Sequence, residues 1–248
     1  MTNIKLIDLD DTLISTEEIY NKIQQQWANF TLEHLNLKSL TAQNIISIQE
    51  ENDIKKITSH GLTRERFPAS LADTYRELSR KAGESDRLRE KHAKEAYIIG
   101  MGVFDYKNWP QNLLPGAKST LEFLTEQGDE LFVVTLGDKK VQRNKLDFYN
   151  LHRWFDDNHI CIVPVSKKDT IEKVSRFKNK NKIWFIGNSK KSDIAPSLEA
   201  EIGAIYIPRG KWSHDHYDLD NLDHSRLITL DEIGKIPQIY FTHLSGKD

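Results

Sequence analysis

The chain has 248 residues, enough for one large domain or a core with a second module, since domains usually run to ~100 to 200 residues. Lys and Arg total 35 against 37 Asp and Glu, and a formal net charge of -2 gives no field of one sign for nucleic acid or an anionic membrane. We therefore expect a small-molecule partner, no nucleic acid and no membrane, while the oligomeric state stays open.

The N-terminal segment and the cysteine content bear on location. The segment MTNIKLIDLDD lacks the apolar core of a signal peptide, and no run approaches the ~18 apolar residues that a spanning helix needs. Cys161 is the single cysteine, which excludes an internal disulfide and fits a reducing compartment. We expect a cytoplasmic protein.

The first predicted element is the apolar strand IKLID at 4–8, and a helical insert follows it. About a hundred residues separate this strand from the next, and structureless loops of that length are rare. Ile19, Ile23 and Trp27 recur at four-residue spacing, as on one face of a helix. Helical patterns cover residues 16–35, 67–83 and 86–100. We predict a separate helical domain over residues 16–114, with the proline-containing segment FDYKNWPQNLLPG as its return linker.

The remainder of the chain alternates apolar runs with helical patterns. The apolar runs lie at 131–135, 160–165, 182–187 and 204–208, and the helical patterns at 115–128, 138–151 and 167–178. Most of these runs are apolar at successive positions, which is typical of parallel strands covered on both faces. The pattern predicts an α/β fold, with a Rossmann-like parallel sheet core formed by residues 1–15 and 115–248 and an inserted α-helical domain.

Each of the first four predicted strands ends in, or is followed by, residues that could contact a ligand. They are Asp8, Asp10, Asp11 and Thr12 for the first, Thr135, Leu136 and Gly137 for the second, Lys167 and Lys168 for the third, and Asn188, Ser189 and Asp193 for the fourth. In open parallel sheets, ligands bind at the carboxyl ends of the strands. Acids, a hydroxyl, a lysine and further oxygen ligands are the components of a magnesium-dependent phosphoryl-transfer site.

The paired acids have a chemical reason to be adjacent. Mg²⁺ stabilises neighbouring carboxylates that would otherwise repel each other. Asp8 can attack phosphorus and form an aspartyl phosphate, and Asp10 can protonate the leaving oxygen and later activate water. A threonine hydroxyl and a lysine would hold the transferring oxygens. We interpret Asp11 as mainly structural, because Asp is common in turns.

These motifs resemble the haloacid dehalogenase (HAD) superfamily. LIDLDDTL matches its apolar strand followed by DxDxT, and LFVVTLGD matches its second motif at Thr135. The family's third motif is a lysine before a helix, which the resemblance assigns to Lys168, with Lys167 and Lys145 as alternatives. The fourth motif departs from the family, since Asn188 stands where an Asp is usual. An amide oxygen still coordinates Mg²⁺, and it stays open whether Asn188 or Asp193 is the direct ligand.

The resemblance implies a Mg²⁺-dependent phosphatase acting on a small phosphorylated metabolite through an aspartyl phosphate. The metal ligands would come from Asp8, Asp10, Asn188 and Asp193. The helical insert would be a cap that closes over the site and selects the substrate. Substrate-binding candidates are Leu9, Leu136 and Gly137 at the strand ends and His60, Arg64 and Arg66 in the cap, since arginine suits anionic groups.

Three other functions remain open. The nearest is a 2-haloacid dehalogenase-like hydrolase that uses Asp8 on carbon, although that chemistry leaves Asp10 no alkoxide to protonate. Another is a catalytically impaired binding protein for a phosphate or metabolite, for which Asn188 is the only indication. A phospho-accepting receiver domain is disfavoured, because its acceptor Asp would end a later strand. Finally, we interpret KWSHDHYDLDNLDH, with His214, His216 and His224, as a solvated loop, since its spacing lacks a defined metal-ligand pattern.

Overall fold

The computed structural model describes residues 2–37, 39–210 and 217–245, except for the side chains of 58–60. The chain divides into two compact units. The sheet unit comprises Met1–Ser15 and Pro110–Asp248, and the helical unit comprises Thr16–Trp109. The second segment of the sheet unit pairs with the first through its backbone, because the Leu114 N–H donates to the Leu13 carbonyl at 2.8 Å.

The sheet unit contains a six-stranded parallel sheet in the order β3-β2-β1-β4-β5-β6. Its strands are β1 (Ile4–Ile7), β2 (Glu130–Leu136), β3 (Ile160–Val163), β4 (Ile183–Gly187), β5 (Gly203–Tyr206) and β6 (Leu227–Thr229). The predicted α/β, Rossmann-like fold is confirmed. The sequence did not indicate β6, because this edge strand has only three residues and is partly exposed.

Five α-helices accompany the sheet in the described part of this unit. They are α5 (Ala117–Glu126), α6 (Lys139–Phe148), α7 (Lys168–Ser175), α8 (Ala195–Glu199) and α9 (Ile236–Ile239). The first three follow the predicted patterns, whereas α8 and α9 are too short to show a helical period. Asp138 begins α6 by accepting hydrogen bonds from the backbone N–H groups of Lys140 and Val141. This cap positions the helix directly after β2, where its side chains reach the carboxyl ends of the strands.

The central strands are buried on both faces, which explains their continuous apolar runs. One core cluster joins Leu6 of β1, Val134 of β2 and Phe185 of β4 to Ile171 of α7. Each of these side chains is fully buried, and burial of one such group stabilises a fold by about 1.5–3 kcal/mol.

One charged residue of β1 is also fully buried. Lys5 Nζ forms an ion pair with Asp129 at 3.1 Å and donates to the Leu244 carbonyl at 3.3 Å. Tyr240 donates to the same aspartate at 2.6 Å. These bonds connect the first strand of the chain to its last described helical turn.

The described part of the helical unit contains four long helices, of which the sequence predicted three. They are α1 (Glu17–His34), α2 (Ala42–His60), α3 (Arg66–Ala82) and α4 (Asp86–Met101). The sequence missed α2 because polar residues occupy its inward face. Gln49 is fully buried and bonds Gln24 and the Ser70 hydroxyl, each at 2.8 Å. Among the described residues of both units, we find no helix that is long and apolar enough to cross a membrane.

Candidate active site

Two carboxylates and one ammonium group lie in contact at the carboxyl edge of the sheet. Asp8 follows β1, Lys167 immediately precedes α7, and Asp193 lies in the turn after β4. Lys167 Nζ bonds both an Asp8 oxygen and, at 2.6 Å, an Asp193 oxygen. All three residues are buried, with relative exposures of 4%, 3% and 0%, respectively. Water therefore screens these charges very little, and the ionisation of each group depends strongly on its contacts with the other two.

Short bonds from neighbouring groups hold the two carboxylates. The Thr12 hydroxyl donates to Asp8 Oδ2 at 3.1 Å, and the Ser189 backbone N–H donates to Asp193 Oδ2 at 3.0 Å. The backbone at Asp11 turns in the left-handed region at φ 59°, which Asp tolerates better than most residues. That turn returns Thr12 to the strand end, as expected of a structural Asp11. Thr12 was not assigned a role from sequence, although it is the threonine of the DxDxT pattern.

Asp10 belongs to a second set of contacts, which α6 supplies. Lys145 Nζ lies 2.7 Å from one Asp10 oxygen, and Gln142 Nε2 lies 2.8 Å from the other. Gln142 also donates to the buried Thr135 hydroxyl at 2.5 Å. Because Gln142 and Lys145 are three residues apart, they share one face of α6. The structure thus brings Asp10 and Thr135 together through Gln142, which the sequence did not single out.

The lysine in contact with the carboxylates is Lys167, and this corrects the preference for Lys168. Lys168 is exposed, and its Nζ bonds Glu199 at 2.7 Å on the surface. Lys167 immediately precedes α7 and Lys168 is its first residue, and the two adjacent side chains point in different directions. Lys145, the other alternative, contacts Asp10 instead of Asp8.

Burial strongly perturbs the ionisation of the cluster. Desolvation raises the pKa of the Asp8 carboxyl to about 8, against the opposing attraction of Lys167 and with a further increase from Asp193. Desolvation would lower the pKa of Lys167, but Asp193 and Asp8 outweigh it and the pKa rises. The buried cluster therefore carries two acids and only one cation.

The donor set fits a hard divalent cation. Asn188 directs its amide nitrogen to the Arg209 carbonyl at 3.3 Å, while its oxygen lies 3.4 Å from the Thr12 hydroxyl that contacts Asp8. Carboxylate and amide oxygens are the ligands that Mg²⁺ prefers, and a dication would neutralise the excess of buried acid. Asp8, Asp10, Asn188 and Asp193 thus carry ligand atoms of the chemical type that such an ion binds.

The turn after β4 requires glycine at its start. A Cβ built on Gly187 would lie 2.3 Å from Asp193 Oδ2 and 2.5 Å from its Cγ, so the Asp193 carboxylate packs directly on this backbone. We expect Gly187→Ala to displace Asp193, to lower the free energy of unfolding by about 1–3 kcal/mol and to weaken binding of Mg²⁺. Denaturant unfolding and metal titration measure the two effects. Gly102→Ala is the control, because its Cβ would approach only the movable end of Ile23 closer than 3 Å. Equal losses in both variants would contradict the close-packing explanation.

The three predicted substrate-binding residues at the strand ends differ in accessibility. The Leu9 side chain is fully buried, which leaves only its backbone for contact with a substrate, and its carbonyl accepts from the backbone N–H groups of Leu13 and Ile14. The Gly137 N–H donates to the Val163 carbonyl at 3.0 Å, extending the β2–β3 ladder. Leu136 is partly exposed and lines a cavity of about 270 Å³. Of the three, only Leu136 offers its side chain to a ligand.

The predicted binding residues of the helical unit also differ in burial and in their contacts. Arg66 is buried, and its guanidinium forms an ion pair with Asp53 inside the helical unit. This corrects the expectation that Arg66 binds substrate. Arg64 is partly exposed, with its guanidinium over the Phe104 ring at 5.6 Å. The His60 side chain and residues His214 and His216 lie outside the described part of the structure.

Comparison with known proteins identifies similar folds. The model of the haloacid dehalogenase-like hydrolases matches residues 5–200. Comparison with curated proteins finds no match. A haloacid dehalogenase-like family hydrolase from Xanthomonas campestris is 21% identical with a TM-score of 0.72, and all of both chains is covered.

Two further solved structures represent different activities. A predicted phosphoglycolate phosphatase from Haemophilus somnus is 18% identical with a TM-score of 0.57, over 96% of this chain and 97% of that one. A 2-haloacid dehalogenase from Pseudomonas syringae is also 18% identical, with a TM-score of 0.53, over 98% of this chain and 99% of that one. At these identities the similarity establishes the fold alone.

Proposed function

Since the chain belongs to the haloacid dehalogenase-like hydrolases, we propose that it is a Mg²⁺-dependent phosphatase that hydrolyses a small phosphorylated metabolite. The observation that supports this most is the second carboxylate, Asp10, held from both sides by Lys145 and Gln142. Phosphoester cleavage needs an acid for the leaving oxygen, whereas displacement of a halide does not. A carboxylate fixed two residues after the nucleophile is suited to that role.

The reaction proceeds in two steps on the residues of the sheet unit. An Asp8 carboxylate oxygen attacks phosphorus, the bond to the ester oxygen breaks, and Asp10 transfers its proton to the departing alkoxide. Asp10 then removes a proton from water as that water attacks phosphorus. The bond from phosphorus to Asp8 breaks, which releases inorganic phosphate and restores both carboxyl groups.

The neighbouring side chains orient the two reacting carboxyl groups. Lys167 and Thr12 orient Asp8, and Gln142 orients Asp10 together with the Thr135 hydroxyl. Asp8, Asp10, Asn188 and Asp193 would hold Mg²⁺, which when bound supplies positive charge to the phosphoryl oxygens. Ionisation of Asp8 benefits from that charge, because burial, opposed by Lys167, raises the pKa of its carboxyl to about 8.

We assign the helical unit Thr16–Trp109 the role of a cap that selects the substrate, with Arg64 as its candidate anion-binding side chain. The assignment is supported by the insertion of this unit directly after the catalytic strand. Arg64 is partly exposed, unlike the internally paired Arg66.

The second candidate function is a dehalogenase-like displacement at carbon by the same Asp8. The neutral Asn188 in the fourth motif favours it, because that reaction needs no metal. Asn188 equally suits a phosphate- or metabolite-binding protein with impaired catalysis. Neither candidate function assigns a role to Asp10 or to its contacts with Lys145 and Gln142.

A substrate panel separates these functions. We expect the protein to release phosphate from one or more phosphomonoesters in the presence of Mg²⁺. A chelator should lower the rate at least about a hundredfold, because the phosphoryl oxygens would lose the positive charge that Mg²⁺ supplies. The panel includes an aryl phosphate and short 2-haloacids, and phosphate and halide are both assayed. Halide release that persists in chelator would replace phosphatase by dehalogenase. Mg²⁺ binding without release of either product would support a binding protein.

A further inference from the structure

A second group of metal-ligating side chains lies within the helical unit. His34 is the last residue of α1, and His92 and Glu95 lie one turn apart on α4. One ligand atom from each residue lies within 4.8 Å of the other two. We propose that these three residues bind a divalent transition-metal ion of the Zn²⁺ class, independently of the carboxylate site in the sheet unit.

The hydrogen bonds of both imidazoles support this assignment. His92 Nδ1 lies 2.7 Å from Glu84 Oε1 and 3.0 Å from the Tyr75 hydroxyl oxygen, and His34 Nδ1 lies 2.9 Å from the Phe30 carbonyl. A proton on each Nδ1 satisfies these acceptors and leaves the lone pair on Nε2. Histidines that bind metals characteristically donate their second ring nitrogen to a carboxylate or a backbone carbonyl. Each of these imidazoles therefore has the partner that fixes its tautomer for metal binding.

The carboxylate behind His92 is itself held in place. The Ser79 hydroxyl donates to Glu84 Oε2 at 2.6 Å, and the Tyr75 hydroxyl lies 3.3 Å from Oε1. A fixed carboxylate increases the basicity of the imidazole that it contacts.

Packing brings the two imidazoles together at the edge of the unit. The ring centroids of His34 and His92 lie 4.3 Å apart, and Phe30 contacts both rings. His92 is 7% exposed, whereas His34 is exposed, so an ion can enter from solvent on the His34 side. Lys91 lies 3.9 Å from Glu95 at the surface, a long and solvated contact that a metal ion would displace readily.

The donor types determine the class of metal. Two imidazole nitrogens and one carboxylate oxygen suit Zn²⁺ and its neighbours in the first transition row, whereas Mg²⁺ prefers oxygen ligands alone. Three protein ligands leave a fourth position for water. Because the ligands come from α1 and α4, a bound ion would connect the end of one helix to the middle of another.

Co²⁺ is the spectroscopic probe for this site. The full chain is titrated with Co²⁺ in excess Mg²⁺, which occupies the carboxylate site, and Zn²⁺ is then added to displace the cobalt. We expect a visible absorption band at one equivalent, its loss on addition of Zn²⁺, and an increase in Tm with Zn²⁺. The Asp8→Asn variant should show the same band, so that failure of the phosphatase proposal leaves this test intact.

Matched variants identify the ligands. His34→Gln and Glu95→Gln alter partly or fully exposed residues, and we expect each to weaken Zn²⁺ binding at least about tenfold and to abolish the increase in Tm. His152→Gln is the control, because His152 is a surface histidine 2.7 Å from the Asp147 carboxylate. Unchanged Zn²⁺ affinity in His34→Gln, or an equal loss in His152→Gln, would overturn the proposal.

Discussion

Asp8→Asn is expected to reduce kcat for phosphomonoester hydrolysis by at least about a thousandfold, as does loss of the nucleophile in other covalent mechanisms. The amide has nearly the same size as the carboxylate, so the packing at the end of β1 is preserved. Its neutral oxygen lacks the negative charge and the nucleophilicity that attack on phosphorus requires. Phosphate release under saturating substrate and Mg²⁺ measures the effect.

Asp11→Asn is the matched control for this variant. It makes the same chemical change three residues away, and Asn also tolerates the left-handed backbone at φ 59°. We expect Asp11→Asn to keep the rate within about threefold, since the residue serves the turn. Full activity in Asp8→Asn would exclude an aspartyl phosphate at this position. Equal losses in the two variants would indicate damage to the turn.

Lys167→Met should produce the largest loss of stability among the site variants. Removing the ammonium leaves the Asp8 and Asp193 carboxylates buried without a cation, and loss of one partner of a buried ion pair costs about 3–5 kcal/mol. Methionine fills much of the same space, so the effect reports charge more than volume. We also expect phosphatase activity to fall, because the nucleophile loses its orienting contact.

Denaturant unfolding with and without Mg²⁺ measures this prediction. Mg²⁺ should recover part of the lost stability, because a bound cation replaces some of the missing positive charge. The neighbouring Lys168→Met provides the control, since its pair with Glu199 lies on the surface, where solvent screens it and its loss should change stability little. A smaller loss in Lys167→Met than in Lys168→Met would contradict the buried network.

The sheet was predictable from sequence because its central strands are covered on both faces. Continuous apolar runs such as the one containing Phe185 have few alternatives to a buried parallel strand. Helix α2 was not predictable in this way, because Gln49 and Asp53 occupy its buried face and interrupt the apolar period. Their hydrogen-bond partners lie on other helices, and sequence periodicity carries no information about those partners.

The candidate site was predictable to the level of strand ends but not of individual contacts. The motif SKKDT offers adjacent lysines, and the choice between them depends on where α7 begins, which sequence determines only to within a residue or two. Gln142 resembles an ordinary polar position on the surface of a helix. Only the packing of α6 against the strand ends brings it between Asp10 and Thr135.

The buried Lys5 has a consequence for how the chain is made. Its strand, β1, is synthesised before its partners β2 and β4, and Lys5 bonds the Leu244 carbonyl 239 residues later. At about 5–20 residues per second, ribosomal synthesis keeps that lysine without its last partner for at least ten seconds or so. The sheet unit therefore completes this buried contact only after Leu244 has been synthesised, whereas the helical unit Thr16–Trp109 is contiguous and can fold earlier.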